Sequence, residues 1–424
     1  MSNVFFDFIE QKIAPMAGVL ANQRHVGAIR DGFIAAMPFM IVGSFLLIFA
    51  FPPFSADTGF AFGQWWLEMA HKHYNAIMTP FNMTMGIMSC FITVGIAYNL
   101  ANSYKMDALP TGLLSLMTFL LVTAPMREGQ LSGAHLAGTG VFTAVLVAIY
   151  VTEVSRLLTK YNIGIKLPEQ VPDKIRQSFD LLIPSVVMIL TIYPFSLFLQ
   201  SQFDMLLPEV IMALFTPLVS ASDSLTAILI VVLVAHILWF AGIHGATIIG
   251  GIMQPFYLYN LDLNQKALAA GEALPATFIE PFWSFFIVIG GSGATFALIL
   301  LYIRSRSVHL RSLGKLGAIP AIFNINEPII FGSPLVMNPI MFIPFIGAPL
   351  VNAVVAYIAT QTGLVSKVIS LVPWTAPAPL GAAWGGGWHY SSAILVAVLI
   401  VIDFFIYLPF FKVYEKQLIA QENT

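Results

Sequence analysis

Apolar stretches long enough to cross a bilayer recur along most of the chain. A membrane-spanning helix needs about 20 consecutive, predominantly apolar residues. Nine stretches approach this length, at 32–51, 84–101, 109–124, 136–157, 181–199, 225–241, 282–303, 338–359 and 391–411. A tenth, 245–261, contains Gly250, Gly251 and Pro255, so it either crosses obliquely or enters the bilayer and returns. The pattern predicts an all-α polytopic membrane protein with about ten transmembrane helices.

The composition supports this fold class. The 424 residues are 58% hydrophobic and 9% charged, whereas soluble domains carry roughly 25% charged residues. The net charge of −2 gives no indication of nucleic-acid binding. The single cysteine, Cys90, excludes internal disulfides and cysteine-rich metal sites.

The distribution of basic residues predicts which loops face the cytoplasm, because cytoplasmic loops carry an excess of Lys and Arg. With the N-terminus in the cytoplasm and ten crossings, 15 of the 19 basic residues fall on the cytoplasmic side. The exceptions are Lys72, Arg127, Lys266 and Lys367. We therefore expect a multi-pass protein with both termini in the cytoplasm and no cleaved signal peptide.

A polar stretch at 159–178, which contains Pro168 and Pro172, predicts a cytoplasmic linker between two halves, 1–178 and 179–424. The second half has segments broken by Gly and Pro at 242–255, 290–293, 320–334 and 373–387. Irregular backbone at membrane depth is tolerated only where protein or a water-filled cavity satisfies its polar groups. Since transporters build binding sites from such segments, we expect the substrate site in the second half.

Glu327 is the first candidate for that site. It follows Asn324 and Asn326 in an apolar environment, and Pro328 and Pro334 after it predict a turn that exposes the three side chains together. A carboxylate there needs a partner or a wet cavity, and a carboxylate beside two amides suits hydrogen bonds to vicinal sugar hydroxyls. The alternative is a structural ion pair with an Arg of the preceding basic loop.

His244 is the second candidate. It lies between Gly242 and Gly245 at the predicted cytoplasmic end of a span, and the glycines permit close backbone approach. The alternative is that its ring serves packing alone. Trp374 could stack on the apolar face of a sugar or anchor the chain at the membrane interface. Asp403, inside the last span, is either structural or part of a pathway.

Several segments together resemble a known family. They are Asn22–Phe33, Gly242–Gly245, Gly290–Thr295, Asn326–Ile329, Met337–Pro339 and Phe342–Phe345. Taken jointly, they are similar to the enzyme IIC component of the lactose, cellobiose and chitobiose branch of the bacterial phosphotransferase system. The resemblance runs from about residue 3 to residue 415.

The resemblance implies a function and a site. It implies a cell-membrane permease for a β-linked disaccharide, built as a homodimer through the first half, with re-entrant elements and the sugar site in the second half. It implies that Glu327 and His244 hold the hydroxyl to be phosphorylated, that Asn326 assists and that Trp374 contacts the sugar. Gly245 belongs to the Gly242–Gly245 segment, and Asn324 lies beside Asn326 and Glu327 in the sequence; both are included in the predicted site.

The resemblance also implies a partner, since the family's phosphoryl donor is a phosphocysteine on a cytosolic IIB protein or domain. Cys90 lies in an apolar span, where a thiolate is disfavoured, so we expect a separate IIB chain. The chain alone would be a transporter subunit that needs no cofactor and no metal. The sequence contains no P-loop motif.

Two other functions fit parts of the pattern. An ion-coupled secondary transporter would use His244, Glu327 and Asp403 as a proton relay. A membrane sensor would bind sugar and signal to a cytosolic partner without transport. Uptake that survives an uncoupler but fails without IIB separates the permease from the ion-coupled transporter.

Overall fold

A computed structural model describes residues 23–165, 181–333, 335–336 and 338–422, together with Pro15 and Val19. The predictions for residues 1–14, 16–18, 20–22, 166–180 and 423–424, and for Pro334 and Met337, lie outside the described residues. Almost all regular structure in the described part is helical. A short antiparallel hairpin pairs β1, Met126–Arg127, with β2, Gln130–Leu131.

Within the described residues, six α-helices belong to the predicted first half. They are α1 Arg24–Ala50, α2 Ala61–Lys72, α3 Tyr74–Asn82, α4 Met88–Ser103, α5 Ala108–Thr123 and α6 Val141–Lys160. Short 3-10 turns at Met85–Ile87 and Gly138–Gly140 precede α4 and α6. Helix α1 packs along α4, which also contacts α5 and α6. This bundle contains many of the residues of the largest apolar core.

Eleven further helices follow residue 181 in the described part. They are α7 Leu182–Phe203, α8 Leu207–Ser222, α9 Leu225–Phe240, α10 Gly245–Ala270, α11 Glu280–Phe282, α12 Phe296–Ile303, α13 Val308–Ile322, α14 Glu327–Gly332, α15 Phe342–Gln361, α16 Ala378–Gly385 and α17 Tyr390–Glu422. Helices α7 and α8 pack on α5 and α6, whereas α9 packs on α10 and α15. Helix α10 also contacts α1, so it joins the bundle to the later helices.

The all-α class is confirmed. Six stretches within the described residues are long and apolar enough to cross a membrane: Arg24–Ala50, Tyr74–Ser103, Gly138–Lys160, Leu182–Phe203, Phe342–Gln361 and Tyr390–Glu422. Helices α8 and α9 together make a seventh candidate, bent by 80°. Helix α5 is apolar but only 16 residues long.

The segment 245–261 differs from its prediction. Gly250, Gly251 and Pro255 lie inside one continuous helix, α10, of 26 residues. A proline within a helix removes one backbone hydrogen bond, and packed membrane helices tolerate this loss. The other predicted breaks are present: a π turn at Trp283–Ile287 leads into a glycine-rich loop, and irregular backbone separates α13 from α14 and flanks α16.

Candidate functional site

One cavity of about 350 Å³ lies where α1 and α10 meet the irregular segments of the second half. This volume is near the lower end of the roughly 300–1,000 Å³ typical of small-molecule sites. Five of the six predicted site residues line it: His244, Asn324, Asn326, Glu327 and Trp374. The structure therefore brings together residues separated by up to 130 positions in the sequence.

Gly245, the sixth, does not line the cavity. It is buried where α10 begins, and a Cβ at this position would collide with the carbonyl oxygen of Ala235 in α9. Its role is therefore to let the start of α10 approach α9. This close approach places His244, the N-cap residue of α10, at the cavity wall.

The His244 ring has a defined orientation. Its Nδ1 accepts hydrogen bonds from the Thr247 backbone N–H at 3.2 Å and from Thr247 Oγ1 at 2.7 Å. Because a backbone N–H can only donate, Nδ1 carries no proton, and the neutral ring carries its proton on Nε2. Trp239 packs against the ring with centroids 4.3 Å apart. The ring thus presents one N–H donor while its other nitrogen caps a helix.

Glu327 is exposed within the cavity at the start of α14. It interacts electrostatically with His244. It forms no ion pair with Arg304, Arg306 or Arg311 of the preceding basic loop, all within the described part of the chain. The structural alternative for Glu327 is therefore not supported, and its carboxylate is available to a ligand.

Asn324 braces two walls of the cavity. Its Oδ1 accepts from the Gly290 N–H at 2.9 Å, and its Nδ2 donates to the carbonyl oxygens of Trp374 and Ala376 at 2.8 and 3.0 Å. The amide thereby ties the glycine-rich loop to the segment that carries Trp374. Asn324 lines the cavity, but both of its amide hydrogens are engaged within the protein.

Asn326 makes similar contacts. Its Nδ2 donates to the Ser292 carbonyl and to Thr295 Oγ1, both at 2.7 Å. Gly291, at φ +100°, lies directly against this amide. The side-chain oxygen of Asn326 remains the polar atom that can receive a hydrogen bond from a ligand.

Other cavity residues were missed by the sequence reasoning. Glu280 begins α11, and its Oε1 accepts from Ser284 Oγ at 2.5 Å. Arg30 lies across from α10 on α1 and pairs with Asp31 at 2.8 Å. Gln254 lines the wall from α10. In the sequence, Glu280 stands before a proline at the edge of an apolar stretch, and this pattern could have identified it as a site candidate. From the sequence, Arg30 is counted only among the cytoplasmic basic residues.

Aromatic side chains supply much of the remaining lining. They are Phe33, Trp239, Tyr257, Trp283 and Trp374. Trp374 is 48% exposed, so one face of its indole is open to a ligand. Flat apolar surfaces combined with a few fixed polar groups are typical of carbohydrate sites, because sugars have apolar C–H faces and polar rims.

Asp403 lies elsewhere. It is 1% exposed in α17, its Oδ2 accepts from Asn352 Nδ2 at 3.0 Å, and it does not line the cavity. His236 is also buried, with Nδ1 bound to the Val232 carbonyl at 2.7 Å. A relay that includes His244, Glu327 and Asp403 therefore gains no support.

Comparisons with known proteins identify the family of this chain. The family model described as "Phosphotransferase system, EIIC" matches residues 30–349. The lichenan permease IIC component of Bacillus subtilis (strain 168) is 39% identical over 98% of this chain and 94% of its own length. The lactose-specific EIICB component of Lactococcus lactis subsp. lactis is 32% identical over 98% of this chain and 73% of its own length.

A solved structure is also similar. The transporter ChbC, the IIC component from the N,N'-diacetylchitobiose-specific phosphotransferase system, superposes with a TM-score of 0.91 at 39% identity, over 98% of this chain and 99% of that chain. The chain belongs to the EIIC family of phosphotransferase-system sugar permeases.

Proposed function

We propose that the cavity binds a β-linked disaccharide and holds one of its hydroxyl groups for phosphorylation by a separate IIB protein. The observation that carries this proposal is that His244 and Glu327 line one cavity together with an exposed tryptophan. The relatives' names, which refer to lichenan, lactose and diacetylchitobiose, support a sugar of this class.

The two titratable groups have complementary roles in this proposal. His244 Nε2–H donates to the hydroxyl oxygen, and the Glu327 carboxylate accepts the hydroxyl hydrogen. One oxygen lone pair then remains for attack on phosphorus. As the new O–P bond forms and the S–P bond of the donor phosphocysteine breaks, Glu327 takes the proton. Positioning and charge account for most of the catalysis in phosphoryl transfer.

The asparagines hold this arrangement in place. Asn324 fixes the Trp374 segment relative to the glycine-rich loop, and Asn326 fixes the start of α14, which carries Glu327. Arg30, Gln254 and Glu280 then provide polar contacts for the remaining hydroxyls. In this proposal Trp374 packs against an apolar sugar face.

The donor is assigned to another chain. Cys90 lies in α4 and is absent from the cavity lining. The lactose-specific relative is named EIICB, which supports a IIB partner for this chain. We also propose that both termini are cytoplasmic, which the positive-inside rule supports. The family resemblance supports a homodimer built through the first half, with the division between the halves near residue 178.

Replacing Cys90 by Ser tests the donor assignment. We expect sugar phosphorylation by purified IIB to stay within about twofold of wild type, because the thiol takes no part in transfer. The measurement is phosphorylated sugar formed by the purified membrane protein with phospho-IIB. Loss of phosphorylation with normal sugar binding would assign the thiol a role in transfer.

Replacing His244 by Gln tests the hydroxyl-orienting role. Gln keeps a hydrogen-bond donor but cannot titrate near neutral pH. We expect sugar binding to remain measurable while phosphorylation falls roughly 10- to 100-fold, since a misplaced nucleophile reduces the rate more than the affinity.

The rival proton relay predicts a different result for the same variant. If the relay is correct, the His244→Gln variant loses pH-dependent accumulation of sugar but retains sugar phosphorylation. Product formation with IIB at several pH values therefore distinguishes the two functions. Unchanged phosphorylation would contradict our assignment of His244.

A further inference from the structure

A second contact between the two halves lies beyond the cavity. Ser44 of α1 is fully buried, and its Oγ accepts a hydrogen bond from the Leu371 backbone N–H at 3.0 Å. The same oxygen is 3.3 Å from the Leu371 carbonyl and 3.3 Å from Ser370 Oγ. Ser370 and Leu371 belong to the irregular backbone between α15 and α16. We call this set the Ser44–Leu371 contact.

Aromatic rings extend the contact. Phe45 packs edge-on against Trp384 with centroids 5.0 Å apart, and Trp384 stacks on Trp388 at 6.1 Å. Phe45 is on α1, whereas both tryptophans follow the Leu371 segment. The contact therefore combines buried hydrogen bonds with apolar surface contributed by both halves.

Its position relative to the cavity is defined along α1. Arg30, Phe33 and Met37 line the cavity. Ser44 follows Met37 by seven residues, which corresponds to roughly 10 Å along a helix. On the other side of the contact, Leu371 precedes the cavity residue Trp374 by three positions. The contact therefore lies beyond the cavity on the side away from the start of α1, the side predicted to be extracellular.

We propose that the Ser44–Leu371 contact is the extracellular gate of the permease. It is closed in this structure and has to open before sugar can enter the cavity from outside. This inference rests on the proposed orientation and on movement of one half against the other. It does not depend on which residues hold the reacting hydroxyl.

The chemistry of the contact suits a gate. The N–H and carbonyl of Leu371 lie in irregular backbone at membrane depth, where each needs a polar partner. When the gate is closed, the Ser44 hydroxyl accepts from the Leu371 N–H at 3.0 Å, and the Ser370 hydroxyl lies 3.2 Å from the Leu371 carbonyl oxygen. Water can replace the Ser44 hydroxyl when the halves separate. Trp384 Nε1 is buried without a hydrogen-bond partner. Opening would hydrate this donor, which favours a reversible closure over a permanent seal.

A reversible cross-link tests the gate. In a Cys90→Ser background, Ser44→Cys and Ser370→Cys place two thiols where hydroxyl oxygens are 3.3 Å apart. Mild oxidation should form a disulfide that holds the contact closed. We expect oxidised protein to bind disaccharide in detergent within threefold of the reduced form, while sugar uptake by cells falls at least tenfold and recovers on reduction.

The single-cysteine variants, treated with the same oxidant, control for direct oxidation damage. Two results would overturn the gate: cross-linked protein that transports at the reduced rate, or a thiol pair that does not cross-link in sugar-free protein. If instead the proposed sugar site is wrong, the reduced protein does not bind disaccharide, so the two failures are distinguishable.

A second measurement uses matched serine variants. Ser44→Ala removes the hydroxyl of the gate, whereas Ser89→Ala removes an equally buried hydroxyl that donates to the Ala137 carbonyl at 2.7 Å within the first half. In the Cys90→Ser background, we expect Ser44→Ala to increase labelling of Ser370→Cys by an impermeant maleimide from outside by at least threefold. Equal labelling in the two serine variants would contradict the proposal.

Discussion

Replacing Glu327 by Gln is expected to reduce sugar phosphorylation by 10²- to 10⁴-fold, the usual range for loss of a positioned proton acceptor. The amide keeps one oxygen acceptor but adds a donor and removes the negative charge. It can neither take the hydroxyl proton nor interact electrostatically with His244 as the carboxylate does. The measurement is the initial rate of phosphorylated sugar formation with saturating phospho-IIB.

The fold should survive this change, because the Glu327 side chain is exposed and forms no ion pair with any described residue. A thermal midpoint within about 2 °C of wild type would establish that the protein is intact. Glu68→Gln, which removes an exposed carboxylate of α2 outside the cavity lining, is the matched control and should retain phosphorylation. Wild-type uptake by the Glu327 variant would refute its assignment.

Replacing Gly291 by Ala is expected to have the second large effect. Gly291 has φ +100°, a conformation that an alanine adopts only with strain. The added Cβ would also collide with the Asn326 amide. Because Asn326 is the N-cap residue of α14, the collision would displace Glu327. We expect sugar affinity to fall at least tenfold and the free energy of unfolding to fall by about 1–3 kcal/mol.

Gly347→Ala is the control for this substitution. Gly347 lies inside α15, and a Cβ there has nothing within 4 Å. Alanine is favoured over glycine in a helix interior by roughly 0.5–1 kcal/mol, so this variant should be as stable as wild type or slightly more so. Thermal midpoints and sugar titrations of the Gly291→Ala and Gly347→Ala variants would show whether Gly291 supports the sugar site. Equal behaviour would mean that the glycine-rich loop does not support the site.

Much of the fold followed from hydropathy because the bilayer constrains helix length so strongly. The apolar length of 32–51 predicted a span there, and α1, Arg24–Ala50, covers nearly all of it but begins eight residues earlier. The continuous helix at Gly245–Ala270 was not. Whether Pro255 and its neighbouring glycines break a helix depends on what packs against it, and here α1, α6 and α9 do so. Local sequence does not contain that information.

The site was predictable to a different degree. Glu327 and His244 stood out because a charge or a titratable ring is costly among apolar neighbours. Glu280 and Arg30 did not stand out, because each lies near the edge of an apolar stretch, where charged residues are common. Their presence at the cavity depends on a long-range arrangement that brings α1 and α11 to the same cavity. The sequence likewise does not show that both Asn324 amide hydrogens are engaged, because their acceptors, the carbonyls of Trp374 and Ala376, are 50 or more positions away.

The hydrogen bonds of Asn324 bear on attempts to redirect the permease to another sugar. They couple the backbone at Gly290 to the backbone at Trp374 and Ala376. A library that randomises residue 324 would therefore yield mostly misassembled protein, whatever sugar is offered. Ile34 and Met37 reach the same cavity from a regular helix, and hydrogen bonds of the second half do not depend on their side chains. Directed evolution of altered sugar preference should begin at those two positions.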